Sequence, residues 1–154
     1  MQASELRLNP IERGSPKKVL IAEDDPEDRM LLERIGKRLG SSIQFYFVRD
    51  GEELMKYLEG SEQFGDRATF PLPDLILLDM HMPILSGVEA LQWIRGQERF
   101  AHLRVFAWSG SESSAEFEMM RAAGADKVMP RPREYEDLKA LVQNFADGLW
   151  KQSG

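Results

Sequence analysis

Asp79 ends the run Leu75-Ile76-Leu77-Leu78, four apolar residues without alternation, and the chain continues into Met80-His81-Met82-Pro83. A carboxylate in that place can serve as a nucleophile, or it can simply begin a turn or cap a helix. A second apolar run, Val19-Leu20-Ile21-Ala22, is followed at once by Glu23-Asp24-Asp25. If the two runs lie side by side, at least two more carboxylates face Asp79. At about 5 Å and an effective dielectric of about 20, each pair repels by roughly 3 kcal/mol. Such a cluster calls for a cation, and all-oxygen ligands with positions left for water or phosphate suit Mg2+. The metal would neutralise an incoming phosphoryl group, and Asp79 could attack that group in line to form an acyl phosphate. Two further runs deliver a hydroxyl, Ser109, and a cation, Arg131.

Positioning these groups requires a particular architecture. Unbroken apolar runs suit strands covered on both faces, and in open α/β sheets ligands bind beyond the C-terminal strand ends. The domain begins near Lys17. After the first strand (19–22), Asp25 can cap a helix with Pro26 in its first turn, and Leu31, Leu32, Ile35 and Leu39 form its apolar stripe up to Gly40. A β-rich segment (42–48) precedes Asp50-Gly-Glu-Glu53, which has capping-box spacing before Leu54 and Leu58. Residues 60–73 form a long Pro-containing loop of the kind that is often functional or mobile. Ser86-Gly-Val-Glu89 is another capping box, opening a helix with Val88, Leu91 and Ile94 inside. A fourth strand (103–110) leads to Ser113 and Ser114, which can cap a helix holding Phe117 and Met120 and ended by Gly124. A short fifth strand (126–130) precedes the stripe Leu138, Leu141, Val142, Phe145 and Leu149. Five strands alternating with five helices imply a parallel sheet with right-handed crossovers and helices on both faces.

Bulk properties narrow the function. With 154 residues, 42% of them hydrophobic, the chain is the size of one domain. A formal charge of -6 without a basic stripe argues against nucleic-acid binding. Zero Cys excludes disulfides and thiolate metal sites, and the two histidines, His81 and His102, have no zinc spacing. No apolar run approaches a membrane span and the polar start is not a secretory signal, so a cytoplasmic soluble protein is expected. Residues 1–16 lack periodicity and read as a flexible tail, with Leu6, Leu8 and Ile11 available for docking, and 151–154 as a short C-terminal tail.

The succession "VLIAEDDP", "LILLDMHMPILSG", "FAWSG" and "MPRP" resembles the receiver domain of two-component response regulators over roughly 17–150. The resemblance implies a flavodoxin-like (βα)5 fold with strand order 2-1-3-4-5. It implies that Asp79 is the phosphoacceptor, that Asp24 binds Mg2+ directly and Glu23 through water, and that the backbone carbonyl of His81 completes the protein's share of the metal site, leaving the imidazole incidental. Asp25 is then a helix cap. Ser109 matches the switch hydroxyl, Gly110 keeps the approach to Asp79 open, and Pro83 and Gly87 shape the turn after the phosphorylated strand.

The chain departs from the family at two positions. Arg131 replaces a near-universal lysine. Its planar fork either grips the phosphoryl oxygens or pairs with Asp79 at rest and impedes phosphorylation. The peptide before Pro132 corresponds to one commonly cis in the family. Val128 replaces an aromatic switch residue, so the readout passes through the 110–114 loop or another group; Trp108 nearby is read as packing. With only "KQSG" after the last helix, output is expected through a partner or self-association. The chain is also similar to small single-domain regulators paired with phytochrome-type and other histidine kinases. Those relatives often dimerise through the fourth helix, fifth strand and fifth helix, where Tyr135 and Trp150 would contribute. The rival reading is a phosphorylation-independent interaction module. An aspartate-nucleophile phosphatase would need a second acid where His81 stands.

Overall fold

Each strand in this chain is short and is followed by a helix, and the first four helices carry a side-chain cap at their N-terminus. The computed structural model describes residues 17–40, 43–111 and 113–147. Leu149 and Trp150, like the segments 1–16 and 151–154, lie outside the described residues. The order is β1 (Lys17–Ala22), α1 (Pro26–Arg38), β2 (Ile43–Val48), α2 (Gly51–Glu59), a 3-10 turn (Glu62–Phe64), β3 (Leu75–Asp79), α3 (Gly87–Gly96), β4 (Arg104–Ser109), α4 (Ser114–Ala123), β5 (Lys127–Pro130) and α5 (Tyr135–Ala146). All pairings are parallel, in the order β2-β1-β3-β4-β5. The expected flavodoxin-like topology is therefore present.

Strand alternation divides the core in two. Val19, Ile21, Leu75, Leu77, Phe106 and Trp108 face α1 and α5, where Leu32, Ile35, Leu138, Val142 and Phe145 cover them. Leu20, Ala22, Ile76, Leu78, Val105 and Ala107 face the other way, under α2, α3 and α4. All of β3 is buried, which explains why its sequence shows no alternation. Each fully buried Leu or Ile contributes about 1.5–3 kcal/mol, so β3 is a stiff support for the charge at its end.

Helix starts follow the sequence closely. Asp25 caps α1 through the Glu27 amide, Ser113 caps α4 through the Glu116 amide, and Ser86 and Glu89 form a complete capping box on α3. The Asp50 box is incomplete: its carboxylate accepts from the Glu53 amide, but the Glu53 carboxylate accepts from the Arg49 amide, one residue further back. Gly40, Gly60 and Gly124 take positive φ at helix ends, as C-terminal stops require.

The 60–73 segment is a packed structure rather than a loose loop. Tyr57, Phe64 and Phe70 form a mutual aromatic cluster with centroid separations of 5.2 to 5.9 Å. The Arg67 guanidinium donates to the carbonyls of Tyr57, Leu58 and Phe70, and the Tyr57 hydroxyl donates to the Pro71 carbonyl. Burial pushes the Tyr57 phenol well above its ordinary pKa. Tyr135 is half-buried and packs on the α1 side of the core, its hydroxyl accepting from Arg38 Nη1 at 3.4 Å.

Candidate functional site

The register of the sheet brings the polar residues together. β1 sits between β2 and β3, so strand order reverses between β1 and β3, where open α/β sheets place their crevice. Ala22 pairs with Leu78, so Glu23 and Asp24 emerge beside Asp79. Asp79 pairs with Trp108, leaving Ser109 one residue further along β4, and Ser109 pairs with Pro130, leaving Arg131 just beyond β5. The Arg131 amide donates to the Ser109 carbonyl at 2.8 Å, tying the last two ends together.

Glu23 and Asp79 are buried and Asp24 is exposed. One carboxylate oxygen from each lies within 4.8 Å of the others, the one such acidic group found among the described residues. Three hard oxygen donors, two of them withdrawn from water, fit a divalent cation of the Mg2+ or Mn2+ type. Burial raises the pKa of Asp79 above the ordinary carboxylate value, against the lowering effects of the His81 amide and Arg131. Burial raises Glu23 likewise, and Arg131 only partly offsets it.

Arg131 is the cation already present. One of its terminal nitrogens is 3.2 Å from Asp79 Oδ2, and the other donates to both Glu23 and Asp28. The guanidinium lies over the Trp108 ring, 4.6 Å from its centroid. Burial works against its charge, but Glu23, Asp28 and Asp79 outweigh that and raise its pKa. Trp108 is thus both core packing and a platform for Arg131. None of the described peptide bonds is cis, so the Arg131–Pro132 bond is trans, contrary to the expectation carried by the motif. In the trans form the Arg131 side chain already reaches all three carboxylates, and the hydrogen bond from its amide to β4 fixes where it starts.

The turn after β3 is close-fitting. A Cβ on Gly87 would lie 2.5 Å from the Asp79 carbonyl oxygen, so only glycine allows α3 to begin there. A Cβ on Gly110 would meet nothing within 4 Å, in keeping with open space at that position. Leu85 donates its amide to the Pro83 carbonyl around Ile84, which is held at φ 69° although 75% exposed. This is a strained turn for a β-branched residue. Ile84→Asn is expected to stabilise the protein by about 1 kcal/mol, since Asn tolerates the left-handed region. An unchanged or lower urea midpoint would show that the turn is unstrained.

The Asp79 Oδ1 atom accepts from the His81 amide at 3.0 Å, which directs the carboxylate. The His81 imidazole, expected to be incidental, lies 3.1 Å from Glu116 Oε1. That same oxygen accepts the Ser109 hydroxyl proton at 3.1 Å. The His81 contact, with Ser109, draws the Glu116 pKa below its ordinary value.

The family model for the response regulator receiver domain matches residues 19–143. The chain belongs to this family. Among solved structures, response regulator RPA3017 in red light signaling of R. palustris is 32% identical with a TM-score of 0.77, covering 84% of this chain and 90% of its own. The phosphorylated cyanobacterial phytochrome response regulator RcpA is 25% identical with a TM-score of 0.74, covering 84% and 91%. The Mn2+-bound form of Rcp1, a protein of Synechocystis sp., is 26% identical with a TM-score of 0.69, again over 84% and 91%. Receiver domains of this kind are signalling modules that bind a divalent metal at an acidic pocket, and this receiver has such a pocket. No helix among the described residues is long and apolar enough to cross a membrane.

Two residues of this receiver's site are not singled out by the sequence reading. Asp28, in the first turn of α1, holds Arg131; its place at the end of "EDDPED" is the one available signal. Glu116, in the first turn of α4, holds Ser109 and His81, and nothing local distinguishes it from an ordinary first-turn acid.

Proposed function

We propose that this chain is a single-domain response regulator that accepts a phosphoryl group on Asp79 from the phosphohistidine of a sensor histidine kinase. The observation that carries this reading is the meeting of the Glu23, Asp24 and Asp79 carboxylates within 4.8 Å, with Arg131 and Ser109 arriving at the same strand ends. The Asp79 carboxylate supplies the electron pair for the new P–O bond, the P–N bond to the kinase imidazole breaks, and the imidazole nitrogen keeps that pair. Mg2+, when bound by Glu23, Asp24, Asp79 and the His81 carbonyl, supplies positive charge for the phosphoryl oxygens. Arg131 gives up Asp79 Oδ2 for those oxygens and stays anchored by Asp28, while Ser109 donates its hydroxyl proton to one of them.

Phosphorylation places about two negative charges where one stood and shifts the balance between two surface states. We read output as protein contact with a downstream partner or a second copy through α4, β5 and α5. The kinase is of phytochrome type by likeness to RcpA, a phytochrome response regulator, and in keeping with the red light signaling of RPA3017, and the receiver works in the cytoplasm. Residues 17–150 form the receiver unit, with 1–16 and 151–154 as tails. A second reading draws on the 3.2 Å contact between Arg131 and Asp79: a module whose partners ignore phosphate. Phosphotransfer separates them. Radiolabel on the kinase core of a phytochrome-type histidine kinase is expected to move to this chain with Mg2+, and to stay on the kinase with Asp79→Asn. Label that moves equally to both proteins removes Asp79 as acceptor, and label that reaches neither supports the second reading.

A further inference from the structure

The missing aromatic ring at Val128 leaves the route from Ser109 to the surface without its usual carrier, and the structure offers another. Ser109 is buried, and its hydroxyl has a single proton, which it donates to Glu116 Oε1 at 3.1 Å. Its oxygen also accepts from the Ser111 amide at 3.1 Å. Glu116 stands in the first turn of α4, where its own amide donates to the Ser113 cap at 3.3 Å. The same Oε1 atom meets the His81 imidazole, which extends from the residue whose amide directs Asp79. One carboxylate oxygen therefore joins β4, the turn after β3 and the start of α4.

From this geometry we propose that Glu116 is the positioning residue for the switch hydroxyl and carries its movement to the N-terminal turn of α4. The proposal rests on the phosphoacceptor reading of Asp79. A hydroxyl with one proton cannot donate to Glu116 and to a phosphoryl oxygen at once. When Ser109 turns to the phosphoryl group, Glu116 loses its tie to β4, and the first turn of α4 keeps the Ser113 cap, the half-buried Phe117 and the contact of Glu116 with the His81 imidazole. The far end of α4 stays fixed by Met120, which is buried. The signal is thus a loosening of one end of the helix.

Amide hydrogen exchange across 113–118 tests this, with phosphorylation by acetyl phosphate and Mg2+ verified by intact mass. Without phosphodonor, Glu116→Ala is expected to exchange about tenfold or more faster than wild type, the scale of one charge-assisted hydrogen bond. Glu116→Gln, which keeps an acceptor oxygen, is expected to match wild type. Ser109→Ala and phosphorylated wild type, which both keep the His81 contact, should accelerate exchange alike, and Glu116→Ala, which loses that contact as well, should be at least as fast. Equal exchange in wild type and Glu116→Ala overturns the proposal. So does a Gln variant that behaves like Ala, which would reduce Glu116 to a charge at a helix end. Phosphorylated wild type with unchanged exchange overturns the coupling alone. A wild type that gains no phosphoryl mass and also takes none from a histidine kinase overturns the phosphoacceptor reading, while the comparison without phosphodonor still decides whether Glu116 holds Ser109.

Discussion

Asp79→Asn is expected to abolish phosphoryl acceptance completely and, in metal-free buffer at neutral pH, to leave a fold more resistant to urea than the wild type. Both effects come from one buried carboxylate. Burial raises its pKa, with Asp24 adding to that and the His81 amide and Arg131 opposing it. A carboxyl group with a folded pKa above its unfolded value makes the folded state the better proton binder. Its contribution to stability is full below the ordinary carboxylate pKa, about 4, and is lost as pH rises through the folded value. Asn cannot ionise, still offers Oδ1 to the His81 amide, and leaves Arg131 with Glu23 and Asp28. The gain is on the order of 1 kcal/mol, the common size of a single-residue effect. Urea midpoints of the two proteins should nearly coincide at acid pH and separate as pH rises to neutrality. A gap independent of pH would show that Asp79 carries no ionisation penalty.

Arg131→Met is expected to be the most damaging substitution in the absence of metal. It leaves Glu23 and Asp79, both buried, and the partly exposed Asp28 without their shared cation. Removing one partner of a buried ion pair costs about 3–5 kcal/mol, because the remaining charge stays out of water. Arg131 and a divalent cation draw on the same Glu23 and Asp79 carboxylates, so the metal should restore much of the loss and bind the variant more tightly than wild type. Calorimetric titration with Mg2+ is expected to show an affinity gain of about tenfold, one like charge removed from the site being worth over 1 kcal/mol at close range. Arg131→Lys keeps the charge without the fork and should fall between the two. Weaker Mg2+ binding in Arg131→Met would mean that Arg131 organises the metal site rather than competing for it.

The parts of this receiver that are legible in the sequence are those set by local rules. Buried parallel strands read as unbroken apolar runs, and chemistry at their ends follows from topology, so the sequence alone brings Glu23, Asp24, Asp79, Ser109 and Arg131 to one edge of the sheet. Caps at Asp25, Ser86 and Ser113 are equally local. Asp28 and Glu116 are not, because each acts through a side chain reaching another element, and a first-turn acid is usual in any helix. The 60–73 segment misleads because polarity and proline suggest a mobile loop, whereas Arg67 satisfies three carbonyls and aromatic rings fill the space. The trans peptide before Pro132 departs from the form common in the family; the two isomers of an X–Pro bond differ by only about 1 kcal/mol, so tertiary contacts that the sequence does not display decide between them.

Intact mass after incubation with Mg2+ and acetyl phosphate, run on wild type, on Asp79→Asn and on wild type with chelator, decides whether Asp79 takes the phosphoryl group. One phosphoryl adduct is expected on wild type, labile to base and absent from the other two. An adduct that survives Asp79→Asn, or its absence from wild type that binds Mg2+ normally and also fails to take phosphoryl from a histidine kinase, would contradict that role for Asp79.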